Sequence, residues 1–121
     1  KTDIQKASNN VARDFMSRSG GTQDAALHIP TVVLVHNPDF ILDPQSKNAD
    51  LILSGNTHGG QIRLPFIGPV PSLPSSLPRS FDKGRFQVGD HTKLFITSGI
   101  SESGPRGRLF NPPEIVILEL N

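Results

Sequence analysis

Two apolar runs set the pattern of the chain: "TVVLVH" at residues 31–36 and "ADLILSG" at 49–55. The first is β-branched and lies between Pro30 and Asn37-Pro38, and the second stops at Gly55. Runs of this kind, short and bounded by breakers, predict strands covered on both faces. "DFILDPQ" between them has room for a short helical turn after Pro38, so the two runs together predict a βαβ unit. Upstream, Ile4, Ala7, Val11, Ala12, Phe15 and Met16 recur at spacings near three and four. That periodicity predicts one amphipathic helix over residues 2–18, broken by Gly20 and Gly21, with a short turn at 25–27 before Pro30.

After Gly60 the pattern changes. "QIRLPFIGPVPSLPSSLPRS" carries Pro65, Pro69, Pro71, Pro74 and Pro78, too many for a regular helix or central strand, and predicts a stiff exposed loop. Its apolar members Phe66, Ile67, Val70, Leu73 and Leu77 suit either an acyl chain or membrane surface, or a loop packed on its own domain. "GRFQVGDHTKLFITSG" predicts a hairpin turning near Gly89-Asp90, and "PEIVILEL" a last strand. The sum is an α/β sheet half with too few helices to cover it, so a companion layer is expected.

Composition narrows the chemistry. The 121 residues suit one small domain. Twelve Lys and Arg against 11 Asp and Glu leave a net charge of +1, which gives no bulk attraction to nucleic acid or to an anionic membrane. With no Cys, disulfides, thiolate nucleophiles and Cys-type zinc sites are excluded, and only His and oxygen ligands remain. The chain has no initiator Met and no apolar run long enough to span a membrane, and a piece of a longer protein is expected.

His36 and His58 each follow a buried apolar run. In open α/β sheets that strand end is where ligands collect, and two neighbouring strands would bring both imidazoles to one metal ion. A histidine capping a strand end through hydrogen bonds is the alternative. Gly99, Gly104 and Gly107 with Arg106 and Arg108 suit a phosphate clamp or an exposed arginine-bearing loop. Arg63, after Gln61, suits either a side chain leaning toward the site or one solvating a strand, the second being favoured, and His28 and His91 read as ordinary surface groups.

Three ordered segments carry a resemblance. "LILSGNTHGGQIRLPFIGP" resembles the Gly-His-Thr-His-Gly-Gly-Gln signature of calcineurin-like metallophosphoesterases, in the branch that includes bacterial membrane-associated phosphoesterases and the UDP-2,3-diacylglucosamine pyrophosphatases of lipid A synthesis. "VLVHNPDF" is similar to the preceding His-Asn-Pro-Asp motif, and "SGISESGPRGRLFNPPEIVILEL" to the closing segment. The resemblance implies the C-terminal half of a four-layer αββα sandwich. It also implies two divalent metals (Mn, Mg, Fe or Zn), with His36 matching a ligand of the second and His58 a ligand of the first, and it favours Arg108 over Arg106 at the substrate.

Asn56 stands where the signature has its first His. Its amide oxygen can coordinate, but more weakly than imidazole, so an active enzyme and an impaired phosphate-binding or scaffold module both remain open. The Asp-x-His, Gly-Asp and Gly-Asn-His-Asp segments that carry most family ligands have no counterpart here. The expected partners are therefore an N-terminal half of the same domain and a phosphorylated small-molecule or lipid substrate, with peripheral membrane contact and no nucleic acid. The cytoplasmic face of a membrane and the cell envelope are both open as locations.

Overall fold

A computed structural model describes residues 28–104 and 106–120, and the helix expected over 2–18 lies outside them. Six short strands form two sheets. The larger has the order β1-β2-β6-β5, from β1 (Val32–Leu34), β2 (Leu51–Ser54), β5 (Gly84–Gln87) and β6 (Lys93–Ile96); β1, β2 and β6 are parallel, and β5 is antiparallel to β6. The smaller is an antiparallel pair, β3 (Arg63–Leu64) and β4 (Gly68–Pro69).

The predicted strand–helix–strand unit is present, with two 3-10 turns, Pro38–Leu42 and Pro44–Asn48, in the connection. Each turn starts with Pro at its first position, where the missing N–H costs nothing. Each is also capped by the residue before it: the Asn37 side chain accepts from Asp39 N at 3.0 Å and Asp43 from Gln45 N at 2.9 Å. Pro44 limits the first turn by restricting Asp43 to extended backbone.

The register places Val33, Ile52 and Leu94 in one row across the sheet. With Ile96, Phe40 and Ala49 they form the core, against which Ile41, Phe81 and Phe86 pack. The next row, Leu34, Leu53 and Phe95, points to the other face, and Leu34 there is 75% exposed. Burial on both faces, expected of these runs, is met only in part: in this row Leu53 and Phe95 are half-buried and Leu34 is exposed.

Two further expectations are corrected. "PEIVILEL" makes no strand, and Ile115 and Ile117 stay exposed. It is tied by Glu114, whose N–H donates to Gly99 O and whose carboxylate accepts from Ser98 N and Thr97 Oγ1. The Pro-rich segment is not uniformly exposed either. It folds back as β3–β4 through a turn in which Ile67 N donates to Leu64 O, with Pro65 second and Phe66 third at φ 67°. That is the type II pattern, whose third position normally takes Gly; Phe66 there is fully exposed, whereas Leu77 is buried.

Asp39 holds the far side of this segment, accepting from Ser75 Oγ at 2.5 Å and from Ser76 N at 2.9 and 3.0 Å. Burial pushes its carboxyl up, but the bonds from Ser75, Ser76 and Asn37 outweigh that and hold it below the ordinary value of 3.8. A carboxyl depressed by folding adds stability above its ordinary value, and that share is lost as pH falls through the folded value. Urea midpoints should therefore fall less between pH 6 and pH 3 in Asp39→Asn than in the parent chain; equal falls would show that this carboxylate does not anchor the loop.

Candidate metal centre

All three parallel strands, β1, β2 and β6, deliver their C-terminal ends to one edge of the sheet. His36 leaves β1 there. Its carbonyl accepts from Gly55 N at 3.2 Å and from Ser54 Oγ at 3.0 Å, which fastens it beside the start of the turn that carries Asn56 and His58. At the end of β6, Thr97 N donates to Ser54 O, and the segment 98–101 follows. Adjacency of the His36 and His58 strands, expected from the two apolar runs, is what the register shows.

The turn after β2 is held in costly backbone. His58, Gly59, Gly60 and Gln61 have consecutive positive φ angles of 51°, 58°, 75° and 50°, and Asn56 has 68°. Left-handed backbone costs a non-glycine residue roughly 1–2 kcal/mol, so His58 and Gln61 sit there only because their surroundings over-determine it. Thr57, fully buried, donates to Asp82 O at 2.5 Å and accepts from Gly59 N at 3.3 Å. Gln61 grips Ser103 with both ends of its amide: Nε2 donates to Ser103 O at 2.8 Å, and Oε1 accepts from Ser103 N at 2.6 Å. Asn111 Nδ2 donates to His58 O at 2.7 Å, and Lys83 Nζ donates to Asn111 Oδ1 at 3.0 Å.

Of the two readings of Arg63, the favoured one, solvation, is corrected, and the side chain leans toward the turn instead. Its guanidinium pairs with the Asp82 carboxylate and donates to Gly59 O at 3.3 Å, with both side chains largely shielded. The sequence offers a clue in retrospect: Asp82 is the one acid between Asp50 and Asp90, so a half-buried arginine in that stretch has little choice of partner. Thr57, Gln61, Asp82, Ser101 and Asn111 went unpredicted. Their contacts span between 25 and 53 residues, which no local pattern encodes.

The donor set at the edge is partial. His58 Nδ1 lies 3.2 Å from Ser101 O; a carbonyl oxygen only accepts, so Nδ1 carries the proton and Nε2 keeps its lone pair. Asn56 Nδ2 donates to Pro74 O at 2.9 Å, which assigns any coordinating role to Oδ1. Together with the exposed His36, these groups fit part of a divalent-cation site. Among the described residues no three His, Cys, Asp or Glu side chains form a group that could hold a metal alone. Arg108 is occupied by main-chain carbonyls, and Arg106 is exposed. A cleft of about 640 Å³ between β3–β4, Arg79 and Phe110 includes none of these predicted ligands.

Known proteins bear on this edge. Over 90 residues, 74% of its length, the chain is 42% identical to the uncharacterized metallophosphoesterase Cj0846 of Campylobacter jejuni, covering 22% of that protein. It is 36% identical over 93 residues (77% of the chain, 33% of the relative) to phosphodiesterase YaeI of Escherichia coli. It is also 31% identical over 94 residues (74% and 29%) to UDP-2,3-diacylglucosamine pyrophosphatase LpxG of Chlamydia trachomatis. No protein-family model and no solved structure matches it. The chain is thus similar to a part of proteins named as metallophosphoesterase, phosphodiesterase and pyrophosphatase, and it spans between about a fifth and a third of their length.

Proposed function

We propose that the chain supplies one side of a metal-dependent phosphoesterase site, completed by ligands from an N-terminal half of the same domain. The observation that carries this reading is the turn 56–61: strained backbone, fixed by bonds from four distant segments, holds one imidazole at the edge where a second strand ends in His36. Strain of that kind, kept where ligands collect, points to a site. His36, His58 through Nε2 and Asn56 through Oδ1 are the proposed ligands of two divalent cations, of which Mn, Mg, Fe or Zn suits an imidazole and oxygen set. When bound, the cations supply Lewis-acid polarisation of a phosphoryl oxygen and a nucleophile at neutral pH.

The chain's own part is to orient. Thr57, Arg63 and Asn111 fix the turn, and the half-burial of His58 limits water at one ligand. Arg106, exposed on the loop before Arg108, is the proposed cation for a substrate phosphate, since the Arg108 guanidinium is taken up by main-chain carbonyls. The names of LpxG and YaeI point to a pyrophosphate or phosphodiester bond, and a lipid-linked nucleotide sugar is the proposed substrate class.

Asn56 favours a second reading, an impaired phosphate-binding module. One experiment separates the two, using the protein with its complete domain and a chromogenic phosphodiester. Hydrolysis that appears with added Mn²⁺ and disappears with chelator supports the enzyme. Hydrolysis only in Asn56→His supports the impaired module, and no metal-dependent hydrolysis in either sinks the phosphoesterase reading.

A further inference from the structure

One residue draws the loop at the end of β6 toward the candidate ligand. Arg108 Nη2 donates to Ser101 O at 2.6 Å, Ser98 O at 2.8 Å and Gly99 O at 3.2 Å, and Nη1 reaches Asn111 O at 3.4 Å. Three carbonyls of one four-residue loop thus converge on a single terminal nitrogen. A guanidinium suits such convergence, because its charge makes each of these hydrogen bonds stronger than one from a neutral donor. Glu114 ties the start of this loop through Ser98 N and Gly99 O, and Arg108 reaches beyond it to the carbonyl of Ser101, an exposed residue.

Ser101 O, the carbonyl with the shortest bond to Arg108, is also the one within 3.2 Å of His58 Nδ1. Asn111, whose carbonyl Arg108 reaches, binds the His58 main chain from its side-chain amide. The ring bond of His58 and one of its two carbonyl bonds therefore run to groups that the same guanidinium holds, the other carbonyl bond coming from Gln61 N at 3.1 Å. We infer that Arg108 is a positioning residue: by fixing the Ser101 carbonyl it sets His58 in the Nδ1–H tautomer and presents Nε2 outward. The acceptor on the non-coordinating nitrogen is what selects the tautomer and ring orientation of a ligating histidine. The tautomer claim stands on the hydrogen bonds alone; its use in metal binding rests on the phosphoesterase reading.

The test is long-range ¹H–¹⁵N correlation of the histidine rings in the ¹⁵N-labelled protein with its complete domain, at a pH where His58 is neutral. The parent should show Nδ1–H, Arg108→Met should move His58 toward Nε2–H, and Arg106→Met, a neighbouring loss of the same charge, should leave it in place. Nε2–H in the parent, or an unchanged ring in Arg108→Met, overturns the assignment. If Arg108→Met fails to fold, Arg108→Lys is read the same way, since one ammonium cannot gather three carbonyls with the geometry of a guanidinium, and an unchanged ring there overturns it as well. Zn²⁺ titration of the same samples gives the second readout, with affinity expected to fall about 10- to 100-fold in Arg108→Met. A parent that binds no Zn²⁺ while showing the Nδ1–H ring would count against the phosphoesterase reading and leave the role of Arg108 in orienting His58 intact.

Discussion

His58→Asn in the protein with its complete domain should lower metal-dependent phosphoester hydrolysis by more than about 100-fold, beyond the loss typical of a ligand's hydrogen-bonding partner. Asparagine is the informative replacement. It tolerates left-handed backbone better than most residues, so it accepts the φ of 51° at this position, and its amide can donate to Ser101 O as the imidazole does now. What it cannot supply is a ring nitrogen on the far side of that bond. Unfolding midpoints should accordingly stay close to the parent while turnover is lost. Activity within about threefold of the parent would show that the imidazole binds no catalytic metal, and the candidate site would have to be sought elsewhere along the edge.

The largest stability loss is expected from Gly60→Ala. A Cβ at this position would lie 2.3 Å from Pro69 Cβ and 3.3 Å from its Cα, on backbone at φ 75°. The proline ring cannot swing aside, and Pro69 is itself buried in β4, where Arg79 Nη2 donates to its carbonyl. Overpacking costs about 1–3 kcal/mol and the left-handed backbone about 1–2 more, so a loss of roughly 3 kcal/mol is expected, a large share of a small domain's stability. Gly104→Ala is the control, at φ 68° with nothing within 4 Å of its Cβ; it should lose only the backbone share. Urea denaturation of the pair isolates the steric part, and equal losses would mean that the β3–β4 hairpin does not pack on the turn.

Gly60 also shows how far the chain could be read in advance. The sequence marked its turn through the resemblance of "GNTHGGQ" and left the Pro-rich segment as either exposed or packed on its own domain; the fold shows Pro69 of that segment filling the space beside Gly60. Arg63 gives a similar lesson. Its place in a polar stretch suggested solvent, and only the fold shows that Asp82, 19 residues away, pairs with it and frames Gly59.

The apolar runs at 31–36 and 49–55 and the alternation after Gly84 were enough to set β1, β2, β5 and β6, because strand formation and termination depend on neighbours within a few residues. The same local logic placed His36 and His58 at strand ends and marked "GNTHGGQ" as special. It could not say that "PEIVILEL" would form no strand, that Leu34 would stay exposed at the edge of the sheet, or that Arg108 would turn from the solvent to four carbonyls. Those outcomes depend on which distant segments meet. Pairing, burial and hydrogen-bond partners are properties of contacts made across the fold, and the order of residues along the chain does not contain them until the sheet has brought its edges together.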